Sequence, residues 1–193
     1  MTSGPRIVAF EGPCCAGKTT LASALLQNLP GVTVAFAKCY ADHVGGGRYL
    51  PRQEACSIEE RERALHRLLA VEADRLAQLP SGVDLILADR RVHTMLAHSY
   101  ALERMTGIGR LAPSQRLLRR SRIPAWPDLV VYLALPQAAV YERNHGKFPA
   151  RSIYIDPCFN AAARSYFLGL ADLEPSRAWP GLMPRWTQQN WHS

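Results

Sequence analysis

Four short apolar runs alternate with longer amphipathic segments along the chain, which is the pattern of an α/β protein. The runs cover residues 7–10, 32–38, 83–88 and 128–135, and each has the length of one strand. Because strands that alternate with helices form parallel sheets, we expect a mostly parallel sheet with helices on both faces. A ligand would bind at the carboxyl ends of its strands.

The intervening segments carry apolar residues at helical spacing. The predicted helices cover residues 21–29, 58–79, 92–105, 113–122, 137–143 and 157–173. The longest has a start signal, because Ser57 and Glu60 stand at the spacing of a capping box. Residues 39–55 are rich in glycine and polar side chains, and we expect a loop or a partly ordered lid there.

The chain length of 193 residues suffices for one domain with its own core, and no internal repeat divides it. We therefore predict a single domain over residues 1–193. Residues 143–156 are basic and broken by glycine and proline, which favours a flexible lid. The Trp- and Pro-rich tail, residues 175–193, contains no convincing fifth strand, and its tryptophans are expected to cover apolar surface.

Charge and cysteine content narrow the class of protein. A net charge of +7 fits either a nucleic-acid surface or a site for anions. The densest basic cluster, residues 116–122, lacks interleaved aromatic residues and is interpreted as a solvated helix face, so a nucleic-acid partner is not favoured. Five scattered cysteines without metal-ligand spacing, and no membrane-length run or signal peptide, predict a reduced, cytoplasmic protein.

The first predicted strand leads into a glycine-rich loop, G-P-C-C-A-G-K-T, which starts at Gly12 and ends at Thr19. This is the spacing of a phosphate-binding loop, and a strand precedes it and a helix follows it. Backbone N–H groups curl around a phosphate in such a loop, Lys18 adds a positive charge, and the Thr19 hydroxyl can hold Mg²⁺. The predicted nucleotide-binding residues are Gly12, Pro13, Cys14, Cys15, Ala16, Gly17, Lys18, Thr19 and Thr20.

Two further groups of residues complete the predicted site. Asp89 and Arg90 follow the third strand, where a carboxylate can coordinate Mg²⁺ and an arginine can grip a phosphate. The alternative role for Asp89 is a helix cap. Arg143, Lys147 and Arg151 lie on the predicted lid, where they would neutralise a transferring phosphate or remain solvated. The sequence has no N-K-x-D guanine signature and no Asp-Glu pair after the third strand, which argues against a GTPase or a hydrolytic motor.

Four stretches of the chain read, in order, FEGPCCAGKTT, LLAVEADRLAQ, LADRRVHTMLAHSY and PDLVVYLALPQAAVYER, and the helix FNAAARSYFLGLADL follows. Together they resemble the thymidylate kinase branch of the P-loop nucleoside and nucleotide kinases. Their order and spacing are similar to those of the family over residues 6–173. The resemblance implies a three-layer P-loop NTPase fold with about five parallel strands, ATP and Mg²⁺ as cofactors, and often a homodimer.

The resemblance also implies roles around the donor nucleotide. Lys18 and Thr19 would bind the ATP phosphates and Mg²⁺, and Asp89 would act around the metal. The lid residues Arg143 and Arg151 would stabilise the transferring phosphoryl group.

On the acceptor side the resemblance implies that Arg90 holds a phosphate and Arg75 faces a base, but neighbouring positions depart from the family. Cys14 replaces a carboxylate that faces the sugar, Val71 replaces a phenylalanine that stacks on the base, and His98 replaces a later aromatic residue. The other departures are Arg91, in place of a tyrosine, and residues 38–42. Losing a base stack and a sugar-facing acid would each cost a few kcal/mol, so we expect an acceptor other than thymidylate.

Three functions are compatible with the sequence. The first is transfer of the ATP γ-phosphate to a nucleoside monophosphate or related nucleotide, which needs no general base. The second is a kinase for a hydroxyl on a nucleoside or other small metabolite, with Asp42, Glu11 or Asp89 as the base. The third is a non-catalytic nucleotide-binding or nucleic-acid-associated module. The predicted acceptor residues are Glu11, Asp42, Val71, Arg75, Arg90 and His98.

Overall fold

The computed structural model describes residues 4–51, 57–121 and 126–170. Within these ranges the strands are β1 (Arg6–Glu11), β2 (Val34–Ala37), β3 (Leu85–Asp89) and β4 (Leu129–Tyr132). The helices are α1 (Lys18–Gln27), α2 (Tyr40–His43), α3 (Ile58–Ala77), α4 (Val92–Thr106), α5 (Leu111–Arg120), α6 (Gln137–Asn144) and α7 (Pro157–Leu168). Short 3₁₀ helices lie at Gly47–Tyr49 and Ile153–Ile155.

The strands form one parallel sheet with the order β2-β3-β1-β4. Phe10 of β1 lies opposite Asp89 of β3, so the carboxyl ends of these two strands stand side by side. The predicted α/β class and parallel sheet are confirmed. The described residues contribute four strands rather than about five, and the tail in which no fifth strand could be assigned lies outside the described ranges.

Helices cover both faces of the sheet, which makes three layers. On one face, α1 packs over a small cluster around Phe10, Ala22 and Leu87. On the other face, a larger cluster joins α3, α4, α5 and α7, and it includes the fully buried Leu96 and Tyr166. Burial of one apolar stripe from each helix is the main stabilising contribution to this arrangement.

The predicted helices are found, and the differences at their ends have local causes. α1 begins at Lys18 rather than at Leu21, because Gly17 adopts a left-handed conformation and the helix starts directly after the loop. The capping box of α3 is confirmed, since the Ser57 hydroxyl accepts from the Glu60 N–H and the Glu60 carboxylate accepts from the Ser57 N–H. The segment after β2, expected as a loop or lid, contains the short helix α2.

The last described helix, α7, is capped by Asp156, whose carboxylate accepts a hydrogen bond from the Phe159 N–H at 2.9 Å. It ends at Leu168, whereas the pattern predicted a helix to residue 173, and residues 171–193 with their tryptophans lie outside the described ranges. Over those ranges, no helix combines the length and the apolar character that crossing a bilayer requires. The homodimer and the cytoplasmic location stay predictions.

Candidate active site

The glycine-rich loop joins β1 to α1 at the carboxyl edge of the sheet. Gly12 has a φ of 135°, and a Cβ at this position would lie 2.5 Å from the Leu133 carbonyl oxygen, so only glycine fits. Gly17 has a φ of 85° and immediately precedes α1. The first N–H groups of α1 have no partner within the helix and carry the positive end of its dipole. The loop and the helix together therefore form a cradle for an anion.

Lys18 is held inside this loop. Its Nζ donates to the Gly12 carbonyl at 3.3 Å and to the Pro13 carbonyl at 2.7 Å. Burial, assisted by the positive charge of Arg90, lowers the pKa of Lys18 to about 8. The ammonium is therefore easier to deprotonate than that of an ordinary lysine, and a phosphate in the loop would favour its charged form.

Thr19 and Asp89 bring two oxygen ligands together at the end of β3. The Thr19 hydroxyl donates to Asp89 Oδ2 at 2.5 Å. The other carboxylate oxygen, Oδ1, is buried and has no hydrogen-bond partner in the part of the chain that the structure describes. Such an oxygen is costly unless a ligand satisfies it. A hydroxyl and a carboxylate fit Mg²⁺, which takes few protein ligands and completes its shell with phosphate oxygens and water.

A metal site independent of a nucleotide is not indicated by the described residues. They contain no group of three or more His, Cys, Asp or Glu side chains placed to hold a metal ion. The free thiols of Cys14, Cys15, Cys39 and Cys158 form no disulfide in those ranges.

Arg90 follows Asp89 in a left-handed conformation with a φ of 70°, which is strained for a residue with a side chain. Its N–H donates to the Phe10 carbonyl at 3.1 Å, and its own carbonyl accepts from Arg75 at 3.1 Å. These bonds hold the turn, and Arg90 Nη2 lies 3.8 Å from the Cys14 sulfur. The guanidinium is therefore placed beside the loop, where it can bind an anion.

Arg75 lies behind this turn, with its side chain only 1 % exposed. Its Nη2 donates to the carbonyls of Ala37, Asp89 and Arg90, at 3.3, 3.3 and 3.1 Å. One guanidinium therefore ties the ends of β2 and β3 to the turn that follows β3. The prediction was that Arg75 faces the base of an acceptor. Within the described ranges its contacts are with the protein itself, and it does not line the neighbouring cavity, so a role towards an acceptor base stays a prediction.

A buried ion network continues from Arg75. Glu72 Oε2 accepts from Arg75 at 2.5 Å, and Glu72 Oε1 lies 3.0 Å from Arg91 Nε. The Arg75 guanidinium lies over the Tyr40 ring, 4.3 Å from its centre. Glu72 and Arg91 are fully buried, so this network fills the space between α3 and the end of β3.

Glu11, predicted as a substrate residue or a base, is also buried. Its carboxylate accepts from the Arg91 N–H at 2.9 Å and from the Thr94 hydroxyl at 2.5 Å. Burial raises the pKa of Glu11, although the charge of Arg90 and these hydrogen bonds oppose the effect. Because both oxygens are used inside the protein, Glu11 fixes the start of α4.

A cavity lies beside the loop, between α4 and α7. On the loop and α4 side it is lined by Gly12, Pro13, Cys14, Arg90, Thr94, Ala97 and His98. On the opposite side it is lined by Tyr132, Tyr154, Phe159, Asn160, Ala163 and Phe167. Arg90 and Cys14 connect the cavity to the loop.

His98 is the predicted acceptor residue that lies in this wall together with Arg90. Its ring centroid is 5.7 Å from that of Tyr154 and 5.1 Å from that of Phe159. Burial, and to a smaller extent the charge of Arg90, lowers the pKa of His98 to about 3. The imidazole is therefore neutral at physiological pH and offers one donor and one acceptor.

Other predicted residues lie away from the cavity. Val71 packs against the larger core cluster. Asp42 is exposed on α2 and accepts a hydrogen bond from the Cys39 thiol at 3.1 Å. The arginines of the basic cluster that the structure describes are exposed on α5, as a solvated helix face predicts: Arg116, Arg119 and Arg120.

The lid arginines Arg143 and Arg151 are exposed and do not line the cavity. Between them, the Asn144 side chain both donates to the Phe148 carbonyl and accepts from the Phe148 N–H, at 2.9 Å each. The Phe148 ring lies 5.6 Å from that of Tyr154, which lines the cavity. Because Tyr154 itself belongs to the predicted lid, residues 143–156, the lid contributes an aromatic ring to the cavity wall.

The aromatic wall of the cavity was missed in the sequence. Phe159, Ala163 and Phe167 are four residues apart on α7 and so share one face of the helix. That spacing is visible in the sequence and predicted the helix, but it does not tell which element the face meets. Tyr132 and Tyr154 have no comparable signal.

The sheet, the glycine-rich loop and the helix after it define the class of protein, a phosphate-loop α/β protein. No protein-family model matches the chain, and no curated protein matches its sequence. Solved structures do match. Thymidylate kinase from Candida albicans is 19% identical at a TM-score of 0.60, over 91% of this chain and 83% of that one.

Two further kinases have a similar structure. Deoxyadenosine kinase from M. mycoides, with bound dATP, is 12% identical at a TM-score of 0.56, over 86% of each chain. Thymidylate kinase from Ehrlichia chaffeensis is 19% identical at a TM-score of 0.55, over 91% of each chain. The chain therefore has the fold of these kinases, as the resemblance predicted.

Proposed function

We propose that the protein is an ATP-dependent phosphotransferase that transfers the γ-phosphate to a nucleoside monophosphate or related nucleotide other than thymidylate. The observation that carries this proposal is the buried Asp89 Oδ1, which no described residue satisfies, next to the Thr19 hydroxyl and the glycine-rich loop. A Mg²⁺–nucleotide complex supplies what that oxygen lacks. The shared fold with kinases, one of them bound to dATP, supports the nucleotide class of the ligand.

On the donor side, the phosphates of ATP would lie over the N-terminus of α1. The Lys18 ammonium would exchange its hydrogen bonds to the Gly12 and Pro13 carbonyls for contacts with the β- and γ-phosphates, which would favour its charged form. Thr19 and Asp89 would hold Mg²⁺, and the ion would supply positive charge to offset the negative charge of the phosphates. Arg143 and Arg151 would reach the transferring group only when the lid closes.

The acceptor side favours a phosphate over a hydroxyl as the nucleophile. A phosphate is already ionised near neutral pH, whereas a hydroxyl benefits from a general base. Among the carboxylates considered as bases, Glu11 has both oxygens hydrogen-bonded inside the protein, and Asp42 does not line the cavity. Asp89 accepts from Thr19 and faces the metal position. Arg90, in contrast, lies at the cavity wall, where it can hold an acceptor phosphate.

A coupled assay of ADP release tests the proposal directly. The full chain with ATP and Mg²⁺ is offered nucleoside monophosphates, nucleosides and other hydroxyl compounds, and we expect release above background with monophosphates. Release with hydroxyl compounds alone would replace the proposal by the second function. ATP binding without release for any acceptor would indicate a non-catalytic module.

The variant Arg90→Ala tests whether Arg90 binds the acceptor phosphate. Losing a charge-assisted hydrogen bond is expected to raise the acceptor KM about 10- to 100-fold, with ATP affinity within about twofold of wild type because the donor contacts of the loop remain. Arg116→Ala, on the exposed face of α5, is the matched control and should change neither parameter.

A further inference from the structure

The side of the candidate site that faces α3 is closed by the protein's own side chains. Tyr40, Glu72 and Arg75 are all buried there, with Arg75 stacked on Tyr40 and paired with Glu72. A ligand would have to separate this ion pair to enter here. No described residue of α3 lines the cavity beside the loop. The part of the site next to Glu72 and Arg75 is therefore not open to an acceptor.

The open side lies between α4 and α7, and its walls are aromatic. His98 contacts Phe159 edge to face, and the rings of Tyr132 and Phe167 have centroids 4.9 Å apart. Burial raises the pKa of Tyr132 to about 12, so this phenol stays neutral. Walls of flat rings favour a flat aromatic ligand, since a base stacks favourably on an aromatic side chain.

The charge of the cavity wall favours a ligand of opposite charge. Arg90 is the one charged side chain among the described lining residues, and none of them is a carboxylate. A ligand whose anionic group faces Arg90 and whose ring is neutral therefore meets an opposite charge and no repulsion. A cationic amine would meet Arg90 without a carboxylate to balance it, which disfavours amine-bearing alcohols.

Asn160 adds one polar group with a defined direction. Its Nδ2 donates to Gln137 Oε1 at 3.1 Å, and Gln137 Nε2 donates to the Ile155 carbonyl at 2.8 Å. Because a carbonyl can only accept, these two bonds fix the orientation of both amides. Asn160 lines the cavity, and its Oδ1 atom remains available to accept a hydrogen bond from an N–H group of a ligand.

We propose that the cavity between α4 and α7 is the acceptor site and that it binds the 5′-monophosphate of a nucleobase that carries an amino group. The phosphate lies against Arg90, and the base lies among the aromatic rings of the wall. The amino group donates to Asn160 Oδ1. This inference rests on the proposed function, and it assigns recognition of the base to α7 rather than to Val71 and Arg75 of α3.

Isothermal titration calorimetry on the full chain without ATP tests the base contact. The probes are adenosine and cytidine 5′-monophosphates, each compared with the analogue that lacks the amino group. We expect an amino-bearing probe to bind and its analogue to bind about five- to tenfold more weakly. Asn160→Leu should weaken binding of the amino-bearing probe by the same factor and leave the analogue unchanged, which is a double-mutant cycle.

A pair of alanine variants on α7 tests the cavity itself. Ala163 lines the cavity, whereas Ala161 is exposed on the same helix. Ala163→Leu fills the cavity and should weaken monophosphate binding at least about tenfold, while Ala161→Leu should leave it within about twofold. Thermal unfolding shows whether each variant is folded, and if Ala163→Leu is not, Asn160→Leu carries the test.

Three results would overturn the assignment of the pocket. One is equal binding by the two folded alanine variants, and another is unchanged binding by Asn160→Leu. A gain in thymidylate binding by Val71→Phe would be the third, because it would place the base against α3. The ADP-release assay separates the two proposals: if a monophosphate supports release while the folded Asn160 and Ala163 variants leave its binding unchanged, the pocket assignment fails alone. If ATP does not bind, or if ATP binds but no monophosphate does, the proposed function fails.

Discussion

The proposed donor and acceptor sides of the candidate site meet at Arg90, yet they are built in different ways. The donor side consists of residues 12–20 in one continuous segment, joined by Asp89 from the neighbouring strand. The acceptor side is assembled from α4, β4, a 3₁₀ helix and α7, whose contributions are spread from residue 90 to residue 167. The first depends mainly on backbone groups, and the second on side chains.

This difference explains where the chain departs from the family that it resembles. A loop that binds phosphate through backbone N–H groups needs its glycines, its lysine and its hydroxyl, and these are present from Gly12 to Thr19. A pocket made of side chains changes its ligand whenever those side chains change. The replaced positions Cys14, Val71 and His98 all belong to the acceptor side of the resemblance. The chemical class of the donor can therefore be inferred from a sequence motif, whereas the identity of the acceptor has to be inferred from how side chains pack around its pocket.

The largest expected effect comes from breaking the donor side. Lys18→Ala removes the cation that the loop holds, and we expect kcat/KM for ADP release to fall about 10³-fold. The fold should persist, since Lys18 bonds only to carbonyls of its own loop among the described residues. Arg119→Ala, an exposed change of similar size on α5, is the control. Activity of Lys18→Ala within about threefold of wild type would contradict the donor assignment.

The next largest effect should come from the buried ion network of Glu72, Arg75 and Arg91. Glu72→Gln removes the carboxylate shared by Arg75 and Arg91, and the two buried guanidinium groups lose their counter-charge. We expect the free energy of unfolding to fall by about 3 kcal/mol or more, which lowers Tm by roughly 6 °C or more. Glu62→Gln, exposed on the same helix, should leave Tm within about 1 °C. Similar Tm values for both variants would show that the network is not buried as described.

A smaller effect concerns the pH dependence of ATP binding. Lys18 in the free protein has a pKa of about 8, and the bound phosphates raise it by favouring the charged form. Protons are therefore taken up on binding above pH 8, and the affinity for ATP should decrease as pH rises through 8, by roughly tenfold between pH 7 and pH 9. Calorimetry in buffers of different ionisation enthalpy measures both quantities. A constant affinity over this range without proton uptake would argue against a charged Lys18 on the phosphates.

The smallest effect is expected at Asp42, and it separates the two kinase hypotheses. Asp42→Asn removes an exposed carboxylate that does not line the cavity, so turnover with a monophosphate acceptor should change by less than about twofold. Steady-state kinetics of ADP release with the best acceptor is the measurement. A loss of two orders of magnitude or more would identify Asp42 as a general base and favour a hydroxyl acceptor.

The fold was predictable because its signals lie close together in the chain. Alternating strands and helices, the Ser57–Glu60 capping box and the glycine-rich loop each involve residues a few positions apart. The side-by-side placement of Asp89 and the loop also followed, since the carboxyl ends of parallel strands meet at one edge. The role of Arg75 was not predictable in the same way. An arginine on a helix has the same sequence pattern whether it faces a ligand or a buried carboxylate.

By itself, the sequence determined the parallel α/β class, the phosphate loop and the position of Asp89 and Arg90 beside it. These features depend on local spacing and on the direction of the strands. Only the tertiary structure decided which helix faces the open part of the acceptor side. In the structure, the space beside this part of α3 is filled by Glu72, Arg75 and Tyr40, and the cavity lies against α7. The physical reason is that burial of a charge, and the partner that compensates it, are properties of packing between distant segments.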